Sequence, residues 1–202
     1  MRTTDIFFQT KFIKSAISVK DLPTDTGSEV SFCGRSNSGK SSVLNVLTGN
    51  KKLAKTSKTP GRTQSMNVFS LDPSCENRIV DLPGYGFANV SKAMRKEWGK
   101  VIGQYLNSRK SLKGIVIIMD IRHPFMNSDL TLIEWSRETN TPFKILFNKA
   151  DKFSKNKAIK EVTKGNHTLE KLNVFGEIQV FSSKSLVGLN EFKESLSNWF
   201  SI

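Results

Sequence analysis

Cysteine is scarce in this 202-residue chain. Cys33 and Cys75 stand apart, with no C-x-x-C pair and no Cys/His spacing, so a disulfide framework and a zinc centre are excluded. The two histidines, His123 and His167, are isolated as well and read as structural or solvent-exposed. No apolar run approaches the ~20 residues that a membrane helix requires. The start, Met1-Arg2-Thr3-Thr4-Asp5-Ile6-Phe7-Phe8, has too short an apolar patch for a signal peptide and too early an acid for a transit peptide. These absences predict a cytoplasmic protein with reduced thiols and no membrane partner. Acid is short too: 18 Asp+Glu face 31 Lys+Arg, for a net charge of +13 and a pI near 9.8.

What is present suits one soluble domain, since 202 residues with 37% hydrophobic content can bury a substantial core. Such an excess of positive charge invites a polyanion through phosphate contacts and counterion release. The basic residues cluster. Lys51, Lys52, Lys55, Lys58 and Arg62 have no acid among them, Lys92 to Lys113 contain only Glu97, and Lys152, Lys155, Lys157, Lys160 and Lys164 surround a single Glu161. RNA is the preferred partner; charged faces kept for solubility are the other reading.

The chemistry concentrates first in Gly34-Arg35-Ser36-Asn37-Ser38-Gly39-Lys40-Ser41, which fits G-x-x-x-x-G-K-[ST] between the strand-like Glu29-Val30-Ser31-Phe32-Cys33 and a helical stretch from Ser42. Two glycines let backbone N–H groups turn inward on polyphosphate, and the helix that follows points its positive end at the same charge. Lys40 reaches the outer phosphates and the Ser41 hydroxyl ligates Mg²⁺. A second piece is Asp81-Leu82-Pro83-Gly84, at the end of a predicted strand. Asp81 can hold Mg²⁺ through a water, and the Gly84 N–H can meet a terminal phosphate. A third is Asn148-Lys149-Ala150-Asp151. The Asp151 carboxylate accepts from both N1–H and the 2-amino group of guanine, a pair adenine lacks. Lys149 covers the base with its stem, and Asn148 ties loops together. Ser182-Ser183-Lys184 follows the last strand, where backbone N–H groups can meet the guanine carbonyl oxygen.

Around these motifs the apolar spacing predicts an antiparallel hairpin (65–71 and 77–82), an amphipathic helix capped by Ser91, and a buried parallel strand at 114–120. A helix capped by Asn127 or Ser128 comes next, then a strand at 142–147 and a helix over 155–172 weakened by Gly165-Asn166. A strand at 177–181 and a closing amphipathic helix end the chain. The βαβα trend predicts an α/β, doubly wound, mostly parallel six-stranded sheet with helices on both faces and one antiparallel strand. Residues 1–27 read as an extension packed on the edge of a single domain over 28–202, and residues 48–64 as a mobile functional connection.

The ordered set Gly34–Ser41, Thr63, Asp81–Gly84, Asn148–Asp151 and Ser182–Lys184 resembles the translation-factor-related small GTPases, and among them the EngB family of ribosome-biogenesis GTP-binding proteins. Phe12-Ile13-Lys14-Ser15-Ala16, Gly34 through Ser42, Pro60-Gly61-Arg62-Thr63-Gln64 and Asp81 through Ala88 carry that resemblance. It implies a P-loop GTPase fold and Mg²⁺-dependent GTP hydrolysis. It also implies association with ribosomal RNA and a precursor of the large ribosomal subunit, and a need for the protein in division and septation. It makes Thr63 the switch threonine on Mg²⁺, with Gly61 and Arg62 near the nucleotide, and Lys40 and Thr63 the supports of transition state and water. Asn37 matches an asparagine that helps ligate K⁺ in related potassium-activated GTPases; an asparagine that only braces the loop is the alternative. Where Ras-like proteins carry a water-orienting glutamine stands Tyr85, so intrinsic turnover is expected to be slow. A monomeric nucleotide switch is the leading expectation. A septin-like, nucleotide-gated self-assembling protein is the second, and an RNA-binding module with a vestigial nucleotide site the third.

Overall fold

The computed structural model describes residues 5–54, 65–86 and 92–202. Its strands are β1 (Lys11–Ala16), β2 (Ser28–Gly34), β3 (Met66–Ser70), β4 (Asn77–Asp81), β5 (Leu112–Asp120), β6 (Phe143–Asn148) and β7 (Glu177–Val180). Its helices are α1 (Lys40–Leu47), α2 (Lys92–Ser108), α3 (Asn127–Glu138), α4 (Lys155–Lys171) and α5 (Leu189–Phe200). The strands form one sheet in the order β1-β3-β4-β2-β5-β6-β7, in which β3 runs opposite to the other six.

Strand periodicity explains the layering. In β5, Ile115, Ile117 and Met119 join a core with Ile102 and Tyr105 of α2, Leu132 and Ile133 of α3, and Leu169 of α4. The intervening Val116 and Ile118 face the opposite core, with Val43, Leu44 and Leu47 of α1 and Phe192, Leu196 and Phe200 of α5. A strand covered on both sides needs apolar residues at every position, which is why 114–119 reads as an unbroken apolar run.

The doubly wound α/β architecture agrees with the expected fold class, while the sheet of the described residues has seven strands rather than six. The additional strand is β1, which pairs with β3 and sets Phe12 edge-on to Phe69 at 5.8 Å. Its exposed Lys11 and Lys14, and a register shift between Phe12 and Lys14, blunt the free edge against pairing with another chain. The cap of α3 also differs from expectation. The helix starts at Asn127, so its cap is Met126, whose N–H donates to the Asp129 carboxylate at 2.9 Å. Helix α4 runs unbroken through Gly165, which is buried where a Cβ would lie 2.6 Å from Ile178 Cδ1. The expected cap Ser91 and most of the 48–64 connection lie outside the described residues.

Candidate functional site

Four neighbouring parallel strands end on one edge: β4 at Asp81, β2 at Gly34, β5 at Asp120 and β6 at Asn148. Register fixes them side by side, with Gly34 opposite Ile118 and Asp120 opposite Asn148. In open α/β sheets this carboxyl-end crevice is where ligands bind.

Between β2 and α1 the loop 35–39 closes on itself, with the Ser38 N–H donating to the Arg35 carbonyl at 3.0 Å. Gly39, the residue before the helix, has φ +96°, and a Cβ there would fall 2.3 Å from Asn148 Nδ2. Only glycine meets both conditions. Helix α1 therefore starts with its free N–H groups directed at the loop, and Lys40 and Ser41 occupy its first turn. The Lys40 ammonium lies against the Asp81 carboxylate, and both side chains are largely buried.

At the other end of the crevice Asn148 acts as a buckle. Its Nδ2 donates to the Ser38 carbonyl at 2.9 Å, and its Oδ1 accepts from the N–H and hydroxyl of Ser183, each at 3.3 Å. One buried amide thus joins the 35–39 loop to the 182–183 loop. Lys149, at φ +66°, donates to the Asn37 carbonyl and pairs with Asp120 at 2.9 Å. Asp120 is also clasped by Arg122 at 2.9 and 2.7 Å. Burial opposes the charge on Asp120, but the hydrogen bonds from Arg122 and Lys149 outweigh it and hold the carboxyl far below the usual carboxylate range. Ser182 Oγ donates to Asp151 Oδ1 at 2.8 Å, and that bond is the main cause holding the Asp151 carboxyl low. Asp151 is therefore an ionised, acceptor-only group at neutral pH.

Behind Asp81 the chain is anchored rather than free. Arg35 and Tyr85 form a parallel bridge, and the Ser36 N–H donates to the Tyr85 carbonyl at 2.8 Å. The Tyr85 hydroxyl donates to Asp129 at 2.9 Å, with both residues buried. Burial pushes the Tyr85 phenol well above its ordinary range and raises Asp129 as well, so the hydroxyl stays protonated and committed to that bond. Trp98 Nε1 donates to the Pro83 carbonyl at 3.0 Å, and Trp98 stacks on Trp135 at 5.9 Å. Gly84 lies between these contacts, half-buried.

The structure thus brings together the sequence-predicted Gly34 through Ser42, Asp81, Gly84, Asn148, Lys149, Asp151, Ser182 and Ser183. Gly61, Arg62 and Thr63 lie outside the described residues. Sequence reasoning missed Asp120, Asp129 and Trp98. Asp120 had a signal, being an acid that ends a buried strand as Asp81 does; the partners of Asp129 and Trp98 are distant in sequence and had none.

The donors near the loop suit a hard cation. Ser41 and Asp81 offer oxygen, and among the described residues no group of three or more His, Cys, Asp or Glu side chains could hold a metal by itself. The Ser41 hydroxyl and the Asp81 carboxylate are of the type that Mg²⁺ takes, one or two protein oxygens with phosphate and water completing the shell.

Residues 29–149, more than half of the chain, match the family described as 50S ribosome-binding GTPase. The probable GTP-binding protein EngB of Aeromonas salmonicida (strain A449) is 45% identical over 194 residues, covering 96% of this chain and 88% of that protein. The chain belongs to the EngB family of GTP-binding proteins. A solved structure of a probable GTP-binding protein EngB shares the fold of this EngB chain, with a TM-score of 0.69, 22% identity, and coverage of 86% and 99% of the two chains. Era, solved with MgGDPNP and nucleotides 1506–1542 of 16S ribosomal RNA, has the same fold at a TM-score of 0.63 and 21% identity, over 86% of the EngB chain and 57% of Era. Among the described residues of this EngB protein, no helix is long and apolar enough to cross a membrane.

Proposed function

We propose that the carboxyl-end crevice is the guanine nucleotide site and that the protein is a slow, Mg²⁺-dependent GTPase. In this reading it is a cytoplasmic, monomeric switch on a precursor of the large ribosomal subunit, and through that assembly step it serves division and septation. Residues 28–202 would be its single GTPase domain and residues 1–27 an extension. The observation that carries the reading is the Asn148 buckle, since it ties a phosphate-type loop to the loops beside Asp151. The two ends of one nucleotide are then served by one rigid unit.

Each residue has a part. Arg35, Ser36 and Ser38 shape the loop through their own backbone hydrogen bonds, and the N–H groups of Asn37 and Gly39, with the N-terminus of α1, would meet the phosphates. Lys40 neutralises their outer charge, Ser42 lies one residue further along the same helix turn, and the Gly84 N–H meets the terminal phosphate. Ser41, Asp81 and Thr63 would hold Mg²⁺, which when bound neutralises charge developing on the β- and γ-phosphate oxygens. Gly61 and Arg62 would approach the nucleotide with Thr63. Asp151 accepts from guanine N1–H and N2–H₂, Lys149 lies along the base, and the Ser182 and Ser183 loop completes the rim. Tyr85 supports slow turnover, because its hydroxyl is already given to Asp129 and an aromatic ring has no amide with which to orient water. The excess positive charge and the Era complex with ribosomal RNA support an RNA-bearing partner.

Calorimetry with Mg²⁺ should show GTP and GDP binding and ATP excluded. Cosedimentation with large subunits should be stronger with GTP or a non-hydrolysable analogue than with GDP. ATP preference would remove the base assignment, and pelleting without ribosomes in GTP would favour the septin-like alternative. Asn37, at φ +65° on the exposed side of the loop, is the proposed K⁺ ligand. GTP turnover should be faster in KCl than in NaCl by at least several-fold, and Asn37→Ala should abolish that difference; equal rates in the two salts would reduce Asn37 to a loop brace.

A further inference from the structure

Helix α4 carries its charge in a pattern that stability alone does not explain. At 100° per residue, Lys157, Lys160, Lys164, His167 and Lys171 fall within about 80° of arc, a stripe about 21 Å long. All five are exposed, and the stripe lies nearly opposite the face that packs Ala158, Gly165 and Leu169 into the core. Lys164 pairs with Glu161 at 2.8 Å and His167 approaches Glu170 at 3.3 Å. Among the described residues, Lys157, Lys160 and Lys171 pair with no carboxylate, and Lys157 lies over the Phe153 ring at 3.8 Å.

Two costs accompany this arrangement. Like charges three and four residues apart repel along a helix. The first turn of α4 holds Lys155 and Lys157 and no acid, placing cations at the positive end of the helix dipole. A face kept polar for solubility would mix signs, as α3 and α5 do, where acids outnumber bases.

We propose that the outward face of α4 docks on the phosphate backbone of RNA, an assignment that rests on the RNA-bearing partner inferred above. A row of cations spaced by one helical turn matches a row of phosphates and asks nothing of base sequence. An anionic membrane fits less well, because Ile159 is the single large apolar side chain that α4 itself exposes and it lies about 120° around the helix from the middle of the stripe, while exposed Phe175 follows beyond the helix end. Position adds a consequence. Helix α4 begins four residues after Asp151, through the single turn Ala150–Lys152, so it is fixed to the base-reading end of the crevice and not to the γ-phosphate end. Its contribution to RNA binding is therefore the same in the GTP and GDP states.

The test uses the full chain with Lys157, Lys160 and Lys164 all changed to Gln, which keeps helix propensity close to that of Lys. Binding to a fluorescent stem-loop RNA of the large subunit is followed by anisotropy across a KCl series, with GTP and with GDP. A control carries Lys11→Gln, Lys14→Gln and Lys20→Gln, three exposed lysines in and just after β1, at the opposite edge of the sheet from the β7 strand on which α4 packs. The α4 variant should bind RNA at least tenfold more weakly near 0.1 M salt, with a salt slope shallower by about two to three, equally in both nucleotide states. GTP affinity should be unchanged and the control should bind as the wild type does. Equal RNA binding by the α4 variant, an equal loss in the control, or a loss confined to one nucleotide state would overturn the assignment. So would α4-dependent binding to phosphatidylserine vesicles without RNA binding. If the wild-type chain binds neither this RNA nor large subunits, the RNA-bearing partner itself fails, and α4 falls with it.

Discussion

Asp151→Asn is expected to lower GTP affinity by on the order of 10³-fold or more and to create a preference for xanthosine triphosphate, because a site built to hydrogen-bond one partner discriminates that strongly against another that leaves its groups unpaired. The carboxylate of Asp151 only accepts, and guanine presents two N–H donors to it. An asparagine amide would turn its own N–H₂ toward one of those donors and leave both unpaired. Xanthine replaces the 2-amino group with an oxygen, which accepts from the amide while N1–H still donates to its carbonyl. The loop should survive the change, since the Asn Oδ1 can keep the bond that Ser182 Oγ now donates to Asp151 at 2.8 Å. Competition between GTP and xanthosine triphosphate for a fluorescent nucleotide measures the outcome; unchanged GTP preference would mean that Asp151 does not read the base. The ionised state needed for that reading is secure toward acid, because the Ser182 bond depresses the carboxyl and moves its protonation to lower pH.

What was legible in the sequence was what local pattern encodes. Gly34, Asp81 and Asn148 could be placed at strand ends because each closes an apolar run, and Lys40 and Asp151 because each belongs to a short motif with fixed offsets. The strand at β1 was harder to read. An edge strand buries only Ala16 of its six residues, so the periodicity that reveals a strand is missing, and its pairing with β3 spans some fifty positions. Asp129 shows the same limit at a single side chain. It looks like an ordinary first-turn acid of α3, yet one oxygen takes the Met126 N–H and the other takes a hydroxyl from Tyr85, 44 residues earlier. No local signal foretells that second bond, although it fixes the segment that follows Asp81. Gly165 misled in the opposite direction, since propensity counts it against a helix, yet it lies buried inside α4 with a Cβ there 2.6 Å from Ile178 Cδ1 and 3.1 Å from the Phe147 ring.

Glu29→Ala is expected to cost about 3–5 kcal/mol of stability, the range for breaking a buried ion pair by removing one partner. The sequence offers Glu29 as one acid leading into β2, whereas in the fold it is wholly buried at the amino end of that strand. Its Oε1 accepts from Arg78 Nε at 2.8 Å and Arg109 Nη2 at 2.6 Å, and its Oε2 from Arg109 Nε at 2.9 Å and the Tyr105 hydroxyl at 3.3 Å. The two guanidinium groups are nearly as buried, and they use their other N–H groups on the carbonyls of Pro23, Thr24 and Cys75. Those carbonyls hold the turn before β2 and the hairpin before β4, so Glu29 is the carboxylate shared by the two cations that close this end of the sheet, with Asp25 a second and longer partner of Arg109 at 3.5 Å. Alanine would leave buried Arg78 without its carboxylate and Arg109 with only Asp25 at 3.5 Å, and at roughly 2–4 °C per kcal/mol for a chain of this size the melting temperature should fall by roughly 6–20 °C. Glu29→Gln keeps an acceptor and the volume, so its loss should be smaller. Five residues of extended β2, about 16 Å, separate Glu29 from Gly34. GTP affinity measured well below the melting transition should therefore match that of the wild type, and saturating GTP should restore part of the lost melting temperature by binding only the folded state. A shift below about 2 °C on differential scanning calorimetry would mean the network is not fully desolvated and that the amino end of the sheet is held by its apolar contacts instead.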